Sequence, residues 1–417
     1  MPQDATQART TPRDLPADFL WGTAISAHQS EGGNINSDAW LLEHTTPTLF
    51  HEPSGDACDS YHRYGEDIAL AAGLGFNCHR LGIEWARIEP EPGVFSIAEL
   101  DHYARLLEAC HAHGLKPMVT FNHFTVPRWF AARGGFEEAD SSDLFGRFCA
   151  RTTDRLGPLM PYATTFNEAN IPLLIRVMRG GRTGTVMADM IAQAARASGS
   201  DRFSSMLFAD PDVITPHLIE AHAKGYEAIK AGSGRTAVGL TLSMQHIEGV
   251  GENNLADHVR AAIYGDWMTQ ARSHSDFIGV QTYTRIRIGD RGALPPPEGA
   301  EMTAAGYEFY PPALGEMIRL AARETGKPVY VTESGIATDD DTRRNAFIDQ
   351  ALAEVRACME DGIDVKSFIQ WSLLDNFEWT KGYGEHFGMV SVDLKTFKRT
   401  PKPSAEHLGR IAKANRI

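Results

Sequence analysis

Two glutamates in this chain each follow a short apolar run. Tyr162-Ala-Thr-Thr-Phe166 leads to Asn167 and Glu168, and Pro328-Val-Tyr-Val-Thr332 leads to Glu333. Two carboxyls facing each other across a pocket are the minimum equipment for glycoside hydrolysis. One donates a proton to the leaving oxygen, and the other attacks the anomeric carbon or activates water. Such a pair must differ in proton affinity: a neighbouring carboxylate raises the acid, while a cation keeps its mate ionised. Arg80, which sits inside another apolar run, and Tyr283 are the candidates to hold the nucleophile of the pair ionised. Gln29, His123, Asn167 and Glu378 supply donors and acceptors suited to sugar hydroxyls. Trp371 and Trp379 supply flat apolar walls for the C–H face of a pyranose.

These residues need a frame that brings distant run ends together. Apolar runs at 19–24, 77–85, 117–121, 162–166, 237–242, 276–280, 328–332 and 368–374 read as eight strands. Between them, helical spacing is expected at 61–74, 98–113, from about 127 with a second segment at 144–156, and at 216–231. Further helices are expected at 255–270, 311–324, 341–361 and 405–414. Alternation of this kind implies one parallel sheet with crossover helices, and eight repeats over this length favour a closed (β/α)8 TIM barrel. Chemistry in that fold sits at the C-terminal strand ends. Glu168 and Glu333, after the fourth and seventh strands, then lie on roughly opposite sides of the ring. With no internal Gly-, Ser- or Pro-rich linker, residues 18–417 are expected to form one catalytic barrel preceded by a flexible tail, 1–17. Two stretches resist the reading. Residues 171–211 are broken by Gly180-Gly-Arg-Thr-Gly184 and carry one expected helix at 186–197. Residues 286–306, with prolines at 295–297, are expected to be a long loop.

Bulk properties exclude several classes. The 417 residues carry a net charge of −14, which disfavours nucleic acid and anionic membrane surfaces as partners. No run of about 18 apolar residues is present to cross a membrane. The first 18 residues lack the apolar segment of a secretory signal. The five cysteines, Cys58, Cys78, Cys110, Cys149 and Cys358, are odd in number and include no C-x-x-C pair. They read as free thiols in a reducing, cytoplasmic compartment. His111 and His113, two apart on a helix, point to different faces, so no metal is expected there. Gly73-Leu-Gly75 lacks the third glycine of a dinucleotide loop and follows a helix, so no cofactor is expected either.

Five segments carry a resemblance. They are Phe19-Leu-Trp-Gly-Thr-Ala24 with Gln29-Ser-Glu-Gly32; Arg80-Leu-Gly-Ile-Glu-Trp-Ala-Arg-Ile-Glu-Pro90; Thr165-Phe-Asn-Glu168; Tyr330-Val-Thr-Glu-Ser-Gly335; and Trp371 through Trp379, continuing to Lys398-Arg-Thr-Pro-Lys-Pro-Ser404. In this order the chain resembles glycoside hydrolase family 1, the β-glucosidase family. The resemblance implies a retaining double displacement on a small β-glycoside or oligosaccharide, with Glu168 as acid/base and Glu333 as nucleophile. It also implies sugar binding by Gln29, His123, Asn167, Glu378 and Trp379, with Trp371 as the pocket floor. Four positions depart from the family pattern: Phe124 replaces the Trp after His123, Gln281 replaces an Asn, Ser334 replaces the Asn after the nucleophile, and Ala169 replaces the Pro after the acid/base. Residues 171–211 match no family pattern and are expected to lie over the leaving-group side.

Competing readings keep the same barrel. A 6-phospho-β-glycosidase is disfavoured by Glu378, whose carboxylate repels a phosphate dianion. A non-catalytic sugar-binding barrel is disfavoured by the presence of both glutamates. Preference among glucose, galactose and fucose, and transfer to an alcohol in place of water, stay open.

Overall fold

Parallel strands covered by helices on one side and filled by side chains on the other are dry on both faces, so they read as unbroken apolar runs. Those runs form the barrel wall. The computed structural model describes residues 13–178 and 184–417. Among these, eight parallel strands close into a ring: β1 (Leu20–Ala24), β2 (Cys78–Gly82), β3 (Lys116–Asn122), β4 (Tyr162–Phe166), β5 (Ala237–Ser243), β6 (Phe277–Gln281), β7 (Val329–Ser334) and β8 (Val365–Trp371). Each strand pairs with its neighbour in sequence, and β8 closes on β1. The fold is a (β/α)8 TIM barrel.

Register puts the chemistry at one level. Ala24 lies opposite both Arg80 and Trp371, and Glu333 lies opposite Gln281. The other end of the barrel is plugged. Phe277 and Tyr330 pack with ring centroids 4.4 Å apart, and Tyr162 lies 5.9 Å from Tyr330. Gly239 makes room for that plug, because a Cβ there would stand 2.2 Å from the Phe277 ring. The main core lies between strands and outer helices.

Several expectations change. β8 begins at Val365 and stops at Trp371, so Ser372 to Phe377 form a rim, buried except at Asp375, and not the strand's end. β2 stops at Gly82, and Trp85 opens a short helix, Trp85–Ile88. The expected loop at 286–306 begins as a hairpin, Arg285–Gly289 with Gly292–Leu294, joined to His246–Gly249 in a three-stranded sheet. The cause is period-two alternation: Ile286 and Ile288 are buried, and they alternate with Arg285 and Arg287. Of the expected tail, residues 1–12 lie outside the described residues. Arg13 N donates to Ile417 O at 2.6 Å and Leu15 N to Asn415 O at 3.0 Å, so residues 13–15 are strapped to the C-terminus.

Of the break expected at Gly180 to Gly184, residues 180–183 also lie outside the described residues. On either side of it stand α1 (Ile171–Met178) and α2 (Thr185–Ala197). The helix expected at 216–231 starts earlier, as α3 (Pro211–Gly232). The Asp210 side chain caps its first turn by accepting from Asp212 N.

Candidate active site

Glu333 ends β7, and both its oxygens are held. Arg80 reaches across from β2, where Nη1 donates to Glu333 Oε1 and Nη2 donates to Asn167 Oδ1 at 2.5 Å. The Tyr283 hydroxyl donates to Glu333 Oε2 at 2.5 Å. Gln281 Nε2 donates to the same Asn167 oxygen at 2.9 Å. One guanidinium thus ties the tips of β2, β4 and β7 together. Charge-assisted bonds of this kind are the strong ones. The backbone after Glu333 is equally constrained, since a Cβ on Gly335 would stand 2.1 Å from the Trp371 carbonyl oxygen. That contact requires the glycine of Glu333-Ser334-Gly335.

Glu168 follows β4 in a left-handed conformation, φ 45°. Outside glycine such a conformation costs of order 1–3 kcal/mol and persists only where surroundings impose it. Here Asn170 locks the turn to β5, donating to Ser243 O at 2.9 Å and accepting from Ser243 N at 2.8 Å. Burial and the field of Glu333 push the Glu168 carboxyl up to about 8, opposed by a hydrogen bond to Ser243 and by Arg80. Burial also raises Glu333, but Arg80 and Tyr283 pull it back. A single proton shared by the two therefore resides on Glu168, leaving Glu333 the anion. Environments that push two neighbouring carboxyls apart in this way suit them to different roles.

The inner end of the cavity is polar and partly unsatisfied. Gln29 Nε2 donates to Glu378 Oε2 at 3.2 Å and to Phe377 O at 2.8 Å. Among the described residues, Glu378 Oε1, His123 Nδ1 and Gln281 Oε1 are buried without a hydrogen-bond partner. Buried polar atoms are rarely left so, and hydroxyls of a bound sugar would satisfy Glu378 and His123. Burial and Arg80 keep His123 well below its ordinary value, hence neutral. Burial and Glu385 raise Glu378. Four rings form a stack across this end: Trp371 on His123 (5.6 Å), His123 by Trp379 (6.3 Å), and Trp379 on His28 (5.5 Å). The cavity measures about 330 Å³, in the range of small-molecule sites.

The sequence profile described as glycosyl hydrolase family 1 matches residues 11–296 and 266–417. The chain belongs to glycosyl hydrolase family 1. Among its relatives is β-glucosidase A of Acetivibrio thermocellus, 27% identical over 96% of this chain and 98% of that one. The thermostable β-glucosidase B of Thermobispora bispora is 28% identical over 94% and 89% of the two chains. Among solved structures, an apo β-glucosidase matches with a TM-score of 0.92 at 49% identity, covering 95% of this chain and 98% of that chain. The β-glycosidase of Pyrococcus horikoshii matches with a TM-score of 0.84 at 29% identity, covering 98% and 96%.

Within this family 1 frame, Gln29, His123, Asn167, Glu168, Tyr283, Glu333, Trp371, Glu378 and Trp379 all line one cavity. Arg80 does not: it is fully buried and meets the cavity's lining through its bonds to Glu333 and Asn167. The departures from the family pattern are accommodated. Phe124, φ 72°, sets its ring edge-on to Trp379 at 5.2 Å. Gln281 uses its extra methylene to reach Asn167, and Ser334 Oγ donates to Thr282 O at 3.3 Å. Ala169 N donates to Thr241 O at 3.3 Å.

Three contributors escaped the sequence reading. Ser243 ends β5, and the strand-end logic applied to other strands would have found it. His28, hydrogen-bonded to Glu43 at 2.7 Å and buried beneath Trp379, has no sequence signal, because Glu43 lies on a separate helix. The third is α1, whose Ile171, Leu174, Ile175 and Met178 line the cavity.

Proposed function

We propose that this chain is a retaining exo-β-glycosidase, β-glucosidase-like, acting on unphosphorylated β-glycosides. The observation that carries the proposal is the asymmetry of the two carboxyls. Both Glu333 oxygens accept from Arg80 and Tyr283, while Glu168 is buried without a cation of its own. In the first step Glu333 attacks the anomeric carbon as the bond to the aglycone oxygen breaks, and the Glu168 proton passes to that oxygen. In the second, Glu168 takes a proton from water, whose oxygen displaces Glu333 from the same carbon. Net retention follows, and both side chains return to their starting states. An alcohol in place of water gives transfer by the same chemistry.

The inner end supports exo action, because buried Gln29, Glu378 and Trp371 close it behind a terminal sugar. Glu378, with Glu385 near it, gives the inner end acidic groups, which disfavour a phosphate dianion there. Residues 18–417 act as one catalytic unit. Five buried free cysteines fit a reducing cytoplasm, and among the described residues no helix is long and apolar enough to cross a membrane.

Replacement distinguishes the roles. Glu333→Ala is expected to abolish turnover of aryl β-glycosides; undiminished turnover would sink the nucleophile assignment. Glu168→Ala should keep the first step on a substrate with a very good leaving group and stall at the second. Added azide should then restore turnover and yield a β-glycosyl azide, and an α product would overturn retention.

A further inference from the structure

Glu168 gives its proton to the leaving oxygen, so the leaving group must lie beside Glu168. The chain that continues from Glu168 decides what it meets. Ile171 N donates to Glu168 O at 2.8 Å, and α1 starts there. Its sequence, Ile-Pro-Leu-Leu-Ile-Arg-Val-Met, has one polar residue, Arg176, which is drawn away into an ion pair with Asp212 at 2.6 Å. Residues 171, 174, 175 and 178 share one helical face by their spacing of three and four, and all four line the cavity. Leu207, Phe208 and Ile286 also line it. Phe208 is fixed edge-on to Phe50 at 6.1 Å. Met178, 60% exposed, carries the apolar face to the mouth.

Two polar side chains near this wall are already committed. Gln245 Oε1 accepts from Tyr283 N and Thr284 N, each at 3.0 Å, and its Nε2 donates to Ser243 Oγ at 3.2 Å. Thr284 Oγ1 donates to Glu308 O at 2.8 Å. A second sugar placed here would bury hydroxyls against carbon, which is costly. A hydrocarbon placed here would bury apolar surface on both sides.

We propose that the leaving-group half of the site is an apolar slot, and that the preferred substrates are β-glycosides of hydrophobic alcohols or phenols and not oligosaccharides. This rests on the β-glycosidase reading for where the aglycone lies. The slot adds affinity by carbon contact alone, so affinity rises with the apolar surface of the aglycone at constant glycone.

The test uses methyl, butyl and octyl glucosides, whose leaving alcohols share similar chemistry and differ in apolar surface. Binding of the non-hydrolysable methyl, butyl and octyl 1-thio-β-glucosides is measured by calorimetry on the full chain, below the micelle concentration. Turnover of the matching O-glucosides and of cellobiose is measured in parallel. Kd should fall about 10-fold from methyl to butyl, and again to octyl, since each buried methylene contributes up to about fourfold. Cellobiose should fall below octyl glucoside in kcat/KM. Ile175→Asn and Met178→Asn, at partly exposed positions where folding is safe, should each cut the methyl-to-octyl ratio of Kd by about threefold. A flat binding series, or cellobiose preferred over octyl glucoside, overturns the slot. Turnover with a flat series overturns the slot and leaves the glycosidase reading standing. A graded binding series without turnover does the reverse. A flat series without turnover removes both.

Discussion

The two ends of this cavity are built on different principles. At the inner end polar side chains are braced by others: Arg80 holds Glu333 and Asn167, Gln281 holds Asn167, and Gln29 holds Glu378. Most of these residues stand on or just after barrel strands, so closure of the ring positions them. At the outer end the wall is a short helix and a loop, and its character comes from carbon. The inner end fixes charge and geometry, which must be the same for every substrate. The outer end adjusts how tightly a particular leaving group is held. Binding energy from such a remote group can be used to orient the reacting bond.

This division is broken or sharpened most strongly at Glu333. Replacing it by Ala should cost on the order of 10⁴-fold or more in kcat, by analogy with other covalent nucleophiles. The loss should be equal for methyl and octyl glycosides, and a loss that depends on the aglycone would show that the two ends are not separable. Arg80→Met comes next. Without the guanidinium, Glu333 loses the cation that offsets its burial, so its proton affinity rises. Activity requires the anion, and the acid limb of the kcat/KM profile should move to higher pH by about 1–3 units. An unmoved limb would mean that Arg80 serves the barrel and not the nucleophile.

How much of this was legible follows the same division. The strand ends could be read because a dry strand and a polar tip leave a sharp local pattern; Tyr162-Ala-Thr-Thr-Phe166 before Asn167 and Glu168 is an example. Arg80 and Tyr283 were singled out by charge logic, and both donate to Glu333. The hairpin at Arg285–Gly289 was readable by alternation but was masked by the prolines that come after it. The apolar face of α1 was present in the letters too. Its meaning was not, because apolar spacing in a helix usually indicates a face turned to the core, and only the path of the chain after Glu168 turns this one to the cavity. The His28–Glu43 contact joins two helices through space, and nothing local announces it.

A smaller effect is expected on stability. The folded state holds the Glu168 proton more tightly than the unfolded chain does, with the carboxyl raised to about 8. Stability from that proton is fully present at acidic pH and is lost as pH rises through about 8. Glu168→Gln removes the titration. Its melting temperature should exceed that of the wild type by more at pH 9 than at pH 6, while activity falls. A gap that stays constant or narrows with rising pH would show that burial of this carboxyl is not what strains the site. Such trade-offs between stability and activity are common where function requires buried charge.

The smallest effect should come from beneath Trp379. His28 is fully buried; its Nε2 is hydrogen-bonded to Glu43 Oε1 at 2.7 Å, and its ring stacks on Trp379 at 5.5 Å. Burial opposes its charge, yet the hydrogen bond and field of Glu43 raise it above the ordinary histidine value. A cation-leaning ring held there supports an indole whose own backbone is left-handed, φ 49°. His28→Phe keeps a ring under Trp379 and removes both ring hydrogen bonds, to Glu43 and to Asn34 Nδ2, leaving Glu43 with the Ser54 bonds alone. KM should rise about threefold with little change in kcat, the signature of binding shared by ground and transition states. Because His28 belongs to the inner end, the rise should be the same for methyl and octyl glycosides. A rise confined to the octyl substrate would place Trp379 in the leaving-group half and move the boundary between the two ends.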